Sequence, residues 1–342
     1  MRRRSAQRAR RRRAADSPRR LQAAGLAIAA VAVVCTGCGS STTSAGRAAS
    51  QPAAGWARTG PGPIGLAVDH EGRTWVADAD AGSLARLDPD GRRVARRVRV
   101  GDAPLRLAKE GDAVWATVFR DGALVRVDAA TGRVTRRVHV GDTPEGLVAT
   151  DGALWVVLED PAQLVRVDPT SGRVRQRVRG VGQGPRLVTA GDGGLWVSDF
   201  QAGKVVRVDP RTGRTRTSPR LCRGPQGMVF LHGRLWVACT TGEELVGVDP
   251  TTLRAGSRVH LPGDPDALSA WGDRLVVALQ DGPALAVVDP GPSEGSPHVV
   301  RRQALGHQGK LYDRANVDVV VRSGTAVVSS YLGGGVYRVP LR

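Results

Sequence analysis

Residues 141–182 read GDTPEGLVATDGALWVVLEDPAQLVRVDPTSGRVRQRVRGVG, and most of the chain on either side is a variation on this stretch. Aligning the Asp of its Asp-Pro turn with similar turns gives Asp88, Asp128, Asp168, Asp209, Asp249 and Asp289, spaced 40, 40, 41, 40 and 40 residues apart. The tryptophans keep the same ruler: Trp75, Trp115, Trp155, Trp196 and Trp236 fall 40, 40, 41 and 40 apart, with Val276 in the sixth position. Two independent markers in one register make the chain an internal repeat.

Within the unit lie four short apolar runs separated by turn chemistry. Leu147–Ala149 is followed by Asp151-Gly152, a tight hairpin signal. Leu154–Leu158 is the second run, and Leu164–Val167 the third, ended by Asp168-Pro169-Thr170-Ser171-Gly172. There the proline presets φ and the glycine accepts a positive one. Arg173–Arg179 is the fourth, with Val174 and Val178 on one face. Helical signals are absent. Four strands per 40-odd residues, repeated, predict an all-β chain of four-stranded antiparallel blades, a β-propeller.

Six such units run from Pro63 to about Gly306. A Pro-, Gly-, Ser- and charge-rich insertion, Gly291 to Asp313, then carries the register from Val276 to Val327. Val317–Val321, Ala326–Ser330 and Gly335–Val339 make three more strands before the last residue, Arg342. The missing fourth strand is available at the other end, because Gly60 precedes Pro63 as Gly141 precedes Pro144, which puts Gly55–Thr59 in a fourth-strand position. One N-terminal and three C-terminal strands therefore close a ring of seven blades, with six as the alternative if the last is irregular. The propeller domain spans 55–342.

The segment before it has another character. Met1–Arg20 carries ten arginines and one acid, and Leu21–Val34 is a weakly apolar run of 14 residues interrupted only by Gln22. That is shorter than the roughly 17 to 25 residues of a membrane-spanning helix, so a secretory signal is the expectation. Small residues ahead of Cys38, followed by Gly39-Ser40-Ser41, resemble the lipobox of bacterial lipoproteins. Cys35 departs from that pattern, which usually has Leu, Val or Ile three before the modified cysteine. The resemblance implies that residues 1–37 are a lipoprotein-type signal peptide and that Cys38 becomes the lipidated first residue. Residues 38–54 would then be a Ser/Thr/Ala/Gly-rich tether on the outer face of the bacterial cytoplasmic membrane; ordinary secretion is the alternative. Arg19-Arg20 leaves the Sec and twin-arginine routes both open.

Removing the leader halves the charge: 40 basic and 31 acidic residues remain, net +9 against +18 for the whole chain. The basic residues are almost all arginine and concentrate on the fourth, outermost strands, as in Arg92, Arg93, Arg97 and Arg99. They read as a solvated rim that discourages edge pairing, with anionic envelope polymers or lipid headgroups as a second reading. No aromatics interleave with them, so no nucleic-acid partner is expected. Arg96, Arg136 and Gln176 share the parity of the valines, which requires either a bulge there or side-chain stems that cover a neighbouring blade.

The units resemble YVTN-type (YncE-like) propellers, and more loosely the streptogramin lyases, through the recurring Gly-Asp-x-Pro-x-Gly-Leu, Leu-Trp-Val-Ala and Arg-Val-Asp-Pro-x-Thr-Gly-Arg-Val. The first resemblance implies a binding or scaffold module on a bacterial surface. In the lyases the tryptophan strand usually reads Trp-Phe-Thr-Glu. Here the residue three after that position is Asp78, Val118, Leu158, Asp199, Cys239, Leu279 or Ser330, so no catalytic residue carries over.

The repeated tryptophans read as inter-blade core and the Asp-Pro turns as backbone caps. His70, His139, His232, His260, His298 and His307 have no metal-ligand spacing, so neither metal nor cofactor is expected. Cys222 and Cys239 end neighbouring strands on one face of the disc, and in an exported protein the pair is expected to be oxidised. On that same face, the residues after each inner-strand proline or its equivalent are Ile64, Leu105, Glu145, Arg186, Gln226, Asp266 and Val317. They are polar on blades three to six and apolar on blades seven, one and two. A sided ligand pocket is expected there, joined by Phe119, Arg120, Glu159, Asp160, Asp199, Phe200, Gln201, Gln280 and Tyr331 from the neighbouring loops; a solvated funnel without ligand is the plain alternative. The function expected is an extracytoplasmic monomer that binds a ligand or envelope protein without chemistry. A lyase or lactonase holding a divalent metal through Glu145, Asp199 and Asp266 is the alternative.

Overall fold

A computed structural model describes residues 55–281, 283–291, 296–306 and 317–342. The leader, Cys38, the tether and His307 lie outside the described residues. Seven four-stranded antiparallel sheets follow one another along the chain. Blade 3 shows the pattern: Pro144–Thr150, Ala153–Leu158, Gln163–Val167 and Val174–Val178 lie side by side from the central axis outward. Its first hairpin turns on Asp151 (φ 49°) and Gly152 (φ 64°). Two successive positive φ values are what a twisted two-residue hairpin requires, and Asp-Gly supplies them with little strain.

Each blade is covered on both faces by its neighbours, which is why the second strand is buried along nearly its whole length instead of alternating. In blade 3, Trp155 and Val157 pack with Leu195, Val197, Val206 and Val208 of blade 4. Leu154, Val156 and Leu158 face the other way, onto Trp115 and Leu124 of blade 2. The five tryptophans of the repeat register are at most 2% exposed and fill these seams. Three of them also carry a cross-strand arginine: Arg86, Arg166 and Arg207 lie 5.7, 5.8 and 5.5 Å over Trp75, Trp155 and Trp196. The arginine of the Arg-Val-Asp-Pro motif is therefore a lid on the tryptophan beside it. The Asp-Pro turns cap themselves, as where Asp168 Oδ1 accepts the amides of Thr170 and Ser171, both at 2.9 Å.

Ring closure occurs in the seventh sheet. Val319–Arg322, Thr325–Ser330 and Gly335–Pro340 supply three strands, and Gly55–Arg58 pairs with the last as the fourth. The chain is then clamped to blade 1. Thr59 Oγ1 donates to Asp78 Oδ1 at 2.8 Å, while Arg97 reaches Asp78 Oδ2 at 2.8 Å and also the Thr59 carbonyl. Burial pushes the Asp78 carboxyl up to about 6, against the pull of Thr59 and Arg97.

That arginine is one of a set. Arg137 and Arg258 likewise pair with a carboxylate, Asp121 or Glu244, and donate to the previous blade's Val100 or Leu221 carbonyl. Part of the basic rim thus staples blade to blade. The parity of Arg96, Arg136 and Gln176 is explained both ways. A register shift lies between Arg86 and Leu87, and again at the equivalent places in blades 2 and 3. The side chains then lie over the next blade's turn, where Arg136 Nη1 donates to the Ser171 carbonyl at 2.7 Å. The stretch read as an insertion contains blade 6's outer strand, His298–Ala304, so the extra chain falls on both sides of that strand. Cys222 and Cys239 are bonded, with Cα atoms 6.0 Å apart.

Candidate functional site

The seven inner strands bring the residues after their prolines to one mouth. Close approach of backbones sets the next residue. A Cβ on Gly146 would lie 2.6 Å from the Arg186 carbonyl oxygen, and one on Gly227 2.3 Å from that of Asp266. Glycine in Pro-x-Gly-Leu is therefore a packing requirement between blades. The residue before it is turned to the mouth.

A cavity of about 150 Å³ opens there. Its apolar wall is Ile64, Ala79, Ala103, Leu105 and Phe119, from blades 1 and 2. Glu145, Glu159 and Arg186 form the opposite wall, with Arg120, Asp80 and Tyr331 at the rim. Glu145, Arg186, Phe119, Arg120 and Tyr331 thus come together as the register predicted, and the apolar-to-polar sidedness is the one read from blades 1 to 4.

Glu145 is 1% exposed. Arg186 Nη1 bridges it to Glu159, at 3.2 Å from Glu145 Oε2 and 2.9 Å from Glu159 Oε1. Burial pushes the Glu145 carboxyl up to about 8, and its hydrogen bond to Glu159 pushes the same way, while Arg186 and Arg106 oppose. Burial and the neighbouring carboxylate both favour the protonated form of Glu145, since two carboxylates so placed resist ionising together. Arg186 also lies 5.5 Å over the Phe200 ring. At the rim, Tyr331 Oη donates to Asp80 Oδ1 at 3.0 Å and Arg120 Nη1 pairs with Asp102 Oδ1 at 3.3 Å.

Nearby lies a second polar group, of which the sequence reading named Gln226 and Asp266 but missed Arg106 and Asp318. Arg106, 5% exposed, stands 3.8 Å from Asp318 Oδ2 and interacts electrostatically with Asp266. Asp266 accepts the Val317 amide at 2.6 Å, and burial pushes its carboxyl up to about 6. Among the described residues, Arg106 Nε and Nη2 and Gln226 Oε1 are buried without a protein partner, which suits bridging water. A signal was available: Arg106 and Asp318 occupy the column where blades 1, 3 and 5 have glycine.

Other predicted residues have different duties. Asp199 accepts the amides of Gln183, Gly184 and Ala202, so its carboxylate is spent on a turn. Phe200 sits behind Arg186. Gln226 and Asp266 are buried and do not line the cavity. Glu145, Asp199 and Asp266 do not converge, and among the described residues no three His, Cys, Asp or Glu side chains could hold a metal ion. The donor set does not fit a divalent cation.

No protein-family profile and no curated protein matches the chain. Solved structures do. Streptogramin B lyase superposes with a TM-score of 0.66 at 16% identity, covering 82% of this chain and 93% of that one. A catalytically inactive virginiamycin B lyase from Staphylococcus aureus with Quinupristin gives 0.67 at 16%, covering 83% and 96%. The WD40 repeats of RRP9 give 0.72 at 11%, covering 82% and 95%. The shared property is the β-propeller. Identities this low carry the fold and no site residue, and propellers with unrelated duties match equally well.

Proposed function

We propose that this chain is an exported, lipid-anchored propeller whose top face binds a small ligand or an envelope protein without chemistry. The observation that carries the reading is the sided cavity at the channel mouth. An apolar wall faces a Glu145–Arg186–Glu159 group whose Glu145 is buried, the combination of apolar surface and a few fixed polar groups that ligand sites use. Both carboxylates are already tied to Arg186, an arrangement suited to recognition. The metal-dependent lyase or lactonase loses support because its three carboxylates stand apart.

Export is supported by the leader and by the Cys222–Cys239 bond, since such bonds persist in oxidising compartments. The resemblance of the repeats to YVTN-type domains supports a surface binding role. The test has two arms. A fragment screen by thermal shift should yield hits that are lost when Phe119 is replaced by Ala and Glu159 by Gln; hits indifferent to both variants would remove the pocket from the reading. In cells, Cys38→Ala should move the protein from the membrane fraction to the medium, and retention would end the lipoprotein assignment.

A further inference from the structure

The charges around the cavity are not balanced. Asp80, Glu145 and Glu159 line it, against Arg120 and Arg186. Arg120 is paired with Asp102 at the rim, and the single Nη1 of Arg186 serves both glutamates. With both glutamates ionised, the inner wall has two carboxylates for one guanidinium at a site shielded from water. Arg106, one blade away, offsets this only at a distance. A proton held between Glu145 and Glu159 keeps the empty pocket near neutral. The opposite wall offers Ile64, Leu105 and the Phe119 ring, with Tyr331 near the entrance.

We propose that the pocket takes a small ammonium ligand with an apolar or aromatic body, the ammonium replacing the proton between Glu145 and Glu159. This rests on the reading of the cavity as a binding site. The ligand's N–H groups donate to the two carboxylates, while Ile64, Leu105 and Phe119 receive the body and the aromatic face adds cation–π attraction. The proton balance is explicit: the Glu145 O–H bond breaks, its electron pair stays on the carboxylate, and one proton leaves to solvent for each ligand bound. The charged groups facing Glu145 are Glu159, Arg186 and Arg106. Binding is therefore weakest in acid, where Glu145 is protonated, and strengthens as pH rises through about 8. An anionic ligand would face the reverse dependence.

Three probes that share one body separate the charge requirement from mere apolar filling: benzylamine, benzyl alcohol and benzoate, titrated calorimetrically into the purified full chain at pH 6.5 and 8.5. Benzylamine should bind at least tenfold more tightly than either analogue at pH 8.5. Its affinity should fall by about tenfold per pH unit below 8, with proton release visible as a dependence of the heat on buffer ionisation enthalpy. Glu145→Gln should abolish both the amine preference and the pH slope. Benzoate or benzyl alcohol binding as tightly as benzylamine, or a benzylamine affinity independent of pH, overturns the ammonium assignment and leaves the pocket reading intact. If none of the three binds while fragments of other chemistry still need Phe119, the ammonium assignment falls alone. Failure of all fragments removes both.

Discussion

A buried carboxyl gives a single residue control over how stability varies with pH. Glu145 in the folded chain holds its proton to about 8, far above an exposed glutamate. The stability its protonated form contributes is complete below the unfolded value and is lost as pH rises through about 8. Glutamine cannot ionise, so Glu145→Gln removes that loss. The melting temperature of the variant relative to the parent should rise by a few degrees between pH 5 and 8.5, measured by calorimetry. A constant difference would show that Glu145 is already ionised. The tryptophans make a simpler case. Trp155 is 2% exposed between blades 3 and 4, and Trp155→Ala should cost about 3–5 kcal/mol in a denaturant titration. The column that delivers Glu145 and Arg186 to the mouth was legible, because register alone fixes which residue follows each proline. Their shared hydrogen bonds to Glu159 were not, since register places a Cα and says nothing of how far a side chain reaches into the next blade. Arg106 and Asp318 escaped because their signal is a departure from glycine in single units, and the repeat draws the eye to what recurs.

Strands and hairpins were the most readable level. Asp-Gly and Asp-Pro turns bracket runs that fall on the strands, because turn residues act locally and need no tertiary context, although the inner strand Pro144–Thr150 extends beyond the run Leu147–Ala149 read for it. The outer strands were readable in position but not in role. Arg97, Arg137 and Arg258 look like solvated charges in sequence, yet each spans a carboxylate and a carbonyl of the preceding blade. Arg97→Ala should therefore destabilise more than Arg99→Ala, which removes an exposed arginine on the same strand. The difference, read from urea midpoints, comes from leaving Asp78 buried without its cation. Equal effects would return the rim to a solvated surface. The Cys222–Cys239 bond ties the end of one blade to the second strand of the next across 17 residues. Cys239→Ala should lower stability by roughly 3 kcal/mol on the chain-entropy account, measured with the Cys222→Ala, Cys239→Ala double variant as control against a stray thiol.

At the scale of the whole disc, the blade count follows from arithmetic on the repeat, and so does the strand that completes the seventh, because Gly60 stands before Pro63 as Gly141 stands before Pro144. Deleting residues 55–60 should lower the melting temperature of the entire ring in one transition, because it both opens a sheet edge and removes the Thr59 clamp on Asp78. An unchanged melting temperature would mean that three strands suffice. The insertion was the hard part to place, since a Pro-, Gly- and Ser-rich composition concealed the outer strand His298–Ala304 within it.

The pairing of Gly55–Arg58 with Gly335–Pro340 also sets an order of events. The first strand of the propeller must wait for its last, so every other blade can form while the chain is still emerging but the circle cannot lock until Gly335–Pro340 has emerged. Until then the ring is an open arc with two unsatisfied edges, vulnerable to pairing with another copy. Once locked, the disc has no mechanical beginning: cutting between any two blades and joining the old ends should yield the same circle, with the waiting time moved to a different seam.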